Sequence, residues 1–142
     1  METKRGVLSV VGTPIGNLGD MSPRALETLQ AADLIAAEDS RTTAQLLAQY
    51  GITGARILPC HKFNEREAAN AVVGALLQGE NAALVTDAGM PCVSDPGYLL
   101  VQAAVEAGVP VTVVPGACAA VSSVAVSGLN ALSFDFDGFL PR

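Results

Sequence analysis

Two carboxylates stand beside a guanidinium at Glu38-Asp39-Ser40-Arg41, a third carboxylate follows at Glu65, and Asp87 and Asp95 flank a loop rich in Gly and Pro. Carboxylates so gathered can accept a proton, and an arginine can orient a carboxylate or a phosphate. Glu38 to Arg41 has a plainer reading, a capped helix start with a local counter-ion, and the sequence leaves both open. His61 is the only imidazole, so neither a Ser-His-Asp triad nor a histidine metal cluster can be assembled. It reads as a surface or ligand-loop residue. Cys60, Cys92 and Cys118 are widely spaced and form no CxxC, which excludes a disulfide framework and a zinc site. The segment Gly12-Thr-Pro-Ile-Gly-Asn-Leu-Gly-Asp20 is neither GxGxxG nor a Walker A loop. It offers backbone N–H groups to an anion, or it is a tight turn into a helix. Asp95 reads as a helix cap and Asp87, at a strand end, as a ligand contact.

These residues acquire meaning from the elements that must hold them. Apolar β-branched runs at 7–11, 34–37, 56–59, 82–86 and 109–114 predict strands. Helical periods alternate with them: from Ser22-Pro23 to about Ala32, 42–50, 65–78, from Asp95-Pro96 to Ala107, and 117–127. Strands apolar on both faces, alternating with helices, mean an α/β domain: a mainly parallel five-stranded sheet with helices on both faces. Ligands in such sheets bind at the carboxyl ends of the strands. Nearly every polar, Gly-rich and Pro-rich cluster falls just after a strand, and that convergence on one edge is the strongest sign of a site.

The 142 residues fit one domain, and 50% hydrophobic content with 15% charged residues excludes a disordered chain. No apolar run approaches the ~18 residues of a membrane span. The N-terminal Met1 to Arg5 lacks a signal peptide's apolar core, so a cytoplasmic protein is expected. The net charge is −6, yet seven of the eight basic residues lie in the first 66 positions. Bulk electrostatics do not draw this chain to nucleic acid, although a local basic face remains open to its first half.

Taken together, GTPIGNLGD (Gly12 to Asp20), EDSR (Glu38 to Arg41), FNE (Phe63 to Glu65), TDAGMPCVSDPG (Thr86 to Gly97), VVPGACAA (Val113 to Ala120) and GFLPR (Gly138 to Arg142) resemble the tetrapyrrole methylase family, the class III S-adenosylmethionine-dependent methyltransferases. Within it they are most similar to the branch acting on small-subunit (16S) ribosomal RNA, and the resemblance covers essentially the whole chain. It implies methylation of a cytidine 2′-hydroxyl, a homodimer, and no metal or membrane. The porphyrin and corrin branches carry a GxGPGD-type first loop, which this chain lacks.

The resemblance also implies an arrangement. Residues 1–136 would form the N-terminal domain, and 137–142 would begin the linker to a second domain that this chain does not contain. S-adenosylmethionine would lie against Ile15, Thr86, Asp87, Met90, Cys118 and Ala119. Glu38, Asp39 and Glu65 are the candidate proton acceptors, with Arg41 as the orienting residue. Arg24, Arg41, Lys62 and Arg66 would contact RNA. Two alternatives are weaker: methyl transfer to a tetrapyrrole or protein side chain, and a non-catalytic ligand-binding module.

Overall fold

The computed structural model describes residues 4–142; Met1 to Thr3, part of the segment read above as no signal peptide, lie outside it. Five parallel strands, β1 (Leu8–Val11), β2 (Leu34–Ala37), β3 (Arg56–Pro59), β4 (Ala82–Val85) and β5 (Val111–Val114), form one sheet in the order β3-β2-β4-β1-β5. Five helices alternate with them: α1 (Pro23–Ala31), α2 (Ser40–Gln49), α3 (Glu65–Leu77), α4 (Tyr98–Glu106) and α5 (Ala119–Val126). The α/β architecture expected from the sequence is the one observed.

The strand order decides where each helix lies. The chain steps one way across the sheet from β1 through β2 to β3, then back through β4 to β5. Right-handed crossovers in opposite directions place their helices on opposite faces. Accordingly Ala25, Leu29 and Leu47 of α1 and α2 pack with Ile35 and Ala83 in one core. Val72 and Leu76 of α3, with Leu100 and Ala104 of α4, pack with Leu34 and Leu84 in the other. β2 and β4 are neighbours whose following helices leave in opposite directions, which makes the crevice beyond their carboxyl ends a topological switch point.

Local chemistry sets the helix starts. Ser22 Oγ accepts from the Ala25 N–H at 3.0 Å and Pro23 occupies the first helical position, where its missing donor costs nothing. α2 begins at Ser40, two residues ahead of the expected start, because the Asp39 carboxylate caps it. α5 is apolar but buries none of its residues, and beyond it Ser127 to Arg142 form neither helix nor strand.

The loops after β1 and β5 touch backbone to backbone. A Cβ on Gly116 would lie 2.8 Å from the Gly12 carbonyl carbon, and one on Gly12 would lie 2.6 Å from Gly116 Cα. Gly116→Ala is therefore expected to destabilise the fold by about 1–3 kcal/mol, the range for overpacking, read from denaturant unfolding. A variant as stable as the parent would mean that these loops do not meet.

Candidate functional site

β4 is followed by Thr86, 3% exposed, whose Oγ1 donates to Glu38 Oε2 at 2.8 Å across the switch point. Asp95 lies against the same hydroxyl. Next along the chain, Asp87 Oδ1 accepts from the Asp39 N–H at 3.2 Å. Asp39 Oδ1 in turn accepts from the Arg41 N–H at 2.9 Å and caps α2. The Arg41 guanidinium stands 3.9 Å from that carboxylate and is 92% exposed, so the ion pair is loose and the cation faces solvent. The neighbouring Ser40 hydroxyl takes no part in the cap: it is buried with no hydrogen-bond partner.

Glu38 and Asp95 thus share one hydroxyl, and Asp87 lies next to it in the chain. Burial pushes the Asp87 and Asp95 carboxyls above their ordinary value, and the Glu38 charge pushes both further. The Asp39 N–H opposes the rise at Asp87, and Thr86 opposes it at Asp95. A carboxylate that holds its proton more tightly is a better acceptor near neutral pH.

Glu65 does something else. It is 8% exposed, and its Oε1 accepts from the Gly97 N–H at 2.8 Å and the Leu99 N–H at 3.1 Å. A carboxylate from α3 therefore caps α4, and Asp95, the cap expected from the sequence, does not. α4 starts at Tyr98 behind Gly97, whose φ of 120° favours glycine and where a Cβ would meet Leu84 Cδ2 at 2.8 Å. Just ahead of it Cys92 and Ser94 hold φ of 78° and 55°, a strained pair for non-glycine residues. Burial and the Glu65 charge push the Cys60 and Cys92 thiols up to about 11.

The β1 side of the same loop is pinned by a reciprocal pair: Thr13 N–H to Gly89 O and Gly89 N–H to Thr13 O, both 3.0 Å. Ile15 is 41% exposed and borders Gly89, as does the Ala117 carbonyl beside Cys118. Met90 Sδ lies against Gly12. Cys118 is half-buried at the start of α5, and Ala119 is exposed. The structure therefore brings Ile15, Met90 and the segment holding Cys118 and Ala119 to one side of the loop after β4, and Glu38, Asp39 and Asp87 to the other, with Thr86 at its root.

On that second side opens a cavity of about 800 Å³, lined by Glu38, Asp95 and four rings, His61, Phe63, Tyr98 and Phe139. Sequence reasoning placed His61 in a surface or ligand loop and Phe63 in the FNE motif, and assigned nothing to Tyr98 or Phe139. The available signal was their rarity, since the chain has only four Phe and two Tyr. Among the described residues no group of three or more His, Cys, Asp or Glu is placed to hold a metal ion, and no helix is long and apolar enough to cross a membrane.

Comparison with known proteins gives a consistent picture. A family model described as Tetrapyrrole (Corrin/Porphyrin) Methylases matches residues 7–135. A protein named ribosomal RNA small subunit methyltransferase I from Escherichia coli O157:H7 is 49% identical over 140 residues, covering 99% of this chain and 49% of that protein. Its namesake from Xylella fastidiosa is 52% identical over 136 residues, covering 96% of this chain and 50% of that one. The chain spans about half the length of the curated relatives it matches. Among solved structures, uroporphyrin-III-C-methyltransferase from Thermus thermophilus superposes with a TM-score of 0.65 at 23% identity, covering 85% of this chain and 53% of that one, a likeness of fold.

The carboxylate cluster has a stability signature. With folded values raised above the ordinary 3.8 of an aspartate, the native state keeps protons the unfolded chain has lost, so stability falls as pH rises through that window. Asp95→Asn removes one of the repelling charges. It is expected to be more stable than the parent at pH 7, by less than about 1 kcal/mol because solvent screens the cluster. The gap should close as the pH falls below 3.8. Thermal unfolding at several pH values checks this; a variant less stable at pH 7 would show that the cluster is not under repulsion.

Proposed function

The chain belongs to the tetrapyrrole (corrin/porphyrin) methylase family, and on that premise we propose that it supplies the catalytic edge of an S-adenosylmethionine-dependent methyltransferase that modifies a cytidine 2′-hydroxyl of small-subunit (16S) ribosomal RNA. The observation that carries this reading is the near 50% identity, over almost the whole chain, to proteins named ribosomal RNA small subunit methyltransferase I; the cytidine 2′-hydroxyl is the finer part of the proposal. The protein is cytoplasmic in this reading. The relatives' greater length leaves room for a second domain after residues 137–142, and the uncovered apolar surface of α5 suits a homodimer contact.

The residues present fit the cofactor. Its apolar portions suit the walls made by Ile15, Met90, Cys118 and Ala119, while its amino and ribose hydroxyl groups need acceptors such as the Asp87 carboxylate and the carbonyls near Thr86. When bound, S-adenosylmethionine supplies an electrophilic methyl group. The protein's part is to align the acceptor oxygen and to take its proton. Of the four candidates for that work, Glu38 is best placed. It lines the cavity, and Asp87 and Asp95 beside it share the proton load. Asp39 acts through its cap on α2, Glu65 through its cap on α4, and Arg41, open to solvent, meets an RNA phosphate, as do Arg24, Lys62 and Arg66.

The test is methyl transfer from labelled S-adenosylmethionine to small-subunit ribosomal RNA by the intact protein, with the product mapped to a cytidine ribose. Glu38→Gln should slow transfer by roughly 10²–10⁴-fold while keeping cofactor affinity, as removal of a proton acceptor does. Asp87→Ala should weaken S-adenosylhomocysteine binding by about 1–3 kcal/mol, the cost of an unpaired polar partner. A label on a base, or on a tetrapyrrole in place of RNA, would overturn the reading.

A further inference from the structure

The cavity beside Glu38 has a composition that neither the methyl donor nor the proton acceptor requires. The chain has six Phe and Tyr residues, and three of them line this one space: Phe63 is 85% exposed, Tyr98 57% and Phe139 83%. Rings so exposed and so gathered mark a surface that something covers. The Lys62 ammonium stands 4.9 Å from the centre of the Phe63 ring, and the His61 ring meets it edge-on at 6.0 Å. Asp95, a hydrogen-bond acceptor in neither of the two ion pairs found among the described residues, lines the same cavity.

A planar ligand with an amino group and a nearby anion matches these parts. A base stacks on an aromatic face, a carboxylate accepts from the exocyclic amino group of cytosine, and the lysine meets a phosphate. A tetrapyrrole carries carboxylates of its own and would be repelled by Glu38, Asp87 and Asp95. A purely apolar segment would leave those charges desolvated and unpaired. The position agrees as well, because the cavity opens at the β2–β4 switch point, across the loop after β4 from Ile15 and Met90.

We propose that this cavity is the receptor for the target nucleotide's base, a cytosine unstacked from the RNA, which lies against Phe63 and Tyr98 and donates its amino group to Asp95, while Lys62 holds an adjoining phosphate. The proposal rests on the ribosomal RNA reading above and adds to it a place and a preference. Uracil, with a carbonyl where cytosine has its amino group, would set oxygen against the Asp95 carboxylate and bind less well.

The experiment measures the affinity of the intact protein for short single-stranded RNAs that differ only in cytosine or uracil at one position. The parent should prefer cytosine. Phe63→Ala and Tyr98→Ala should each lower affinity about tenfold, within the range for one stacked base. Asp95→Asn should abolish the preference, since an amide both donates and accepts. All three variants should bind S-adenosylhomocysteine as the parent does, which confirms that they fold. If the parent methylates ribosomal RNA but the variants keep its affinity and its preference, the base is held elsewhere and the proposal fails alone. If the parent binds S-adenosylhomocysteine yet methylates no RNA, the functional reading fails and the proposal falls with it.

Discussion

The position of one loop, Thr86 to Gly97, governs the whole carboxyl edge of the sheet. On one side the reciprocal Thr13–Gly89 hydrogen bonds tie it to the end of β1. On the other, Thr86 to Glu38 and the Asp39 N–H to Asp87 tie it to the end of β2. At its far end Glu65 holds Gly97 and the first turn of α4. With anchors on three elements, the loop can keep Cys92 and Ser94 at positive φ, a conformation worth of order 1–3 kcal/mol each in strain. It divides the edge into a small-residue side toward β1 and β5 and an acidic, aromatic side toward β2 and β3.

The division explains an electrostatic oddity. Under the proposed function, an acidic chain that meets RNA should keep negative charge away from phosphate, yet Glu38, Asp87 and Asp95 sit at the centre of the edge. They lie at the loop after β4, where burial and the Glu38 charge raise the affinity of Asp87 and Asp95 for protons. The cations that would meet phosphate, Arg41 and Lys62 among them, stand further out and are exposed. In the proposed function, proton handling at the centre and phosphate contact at the rim therefore do not compete for the same ground.

Much of this was legible in the sequence, because parallel strands buried on both faces leave a simple signal. Leu34–Ala37 and Arg56–Pro59 are bounded as their apolar runs suggest, and the loops after the strands gather as the carboxyl-edge rule requires. What local patterns could not show is which partner a polar group finds across the fold. Asp95 lies just before a proline, as a cap should, but the α4 cap comes from Glu65, more than thirty residues away. Thr86 and Glu38 are forty-eight residues apart and meet only because β2 and β4 are neighbours in the sheet. The aromatic cavity needed the same information: Phe63, Tyr98 and Phe139 follow no periodicity and share a wall only through the fold.

The central claim is that the ligand-bearing surface is the carboxyl edge, organised by the loop after β4. Hydrogen exchange of the backbone amides, with and without saturating S-adenosylhomocysteine, tests it most directly. The account predicts slower exchange at Ile15, Asp87 to Met90 and Cys118-Ala119 when the ligand is bound. It predicts no change at the opposite edge, around Asp33, Gly54 and Gly79, where a second, polar depression lies. Protection at that opposite edge, with the loop after β4 unaffected by bound ligand, would contradict it.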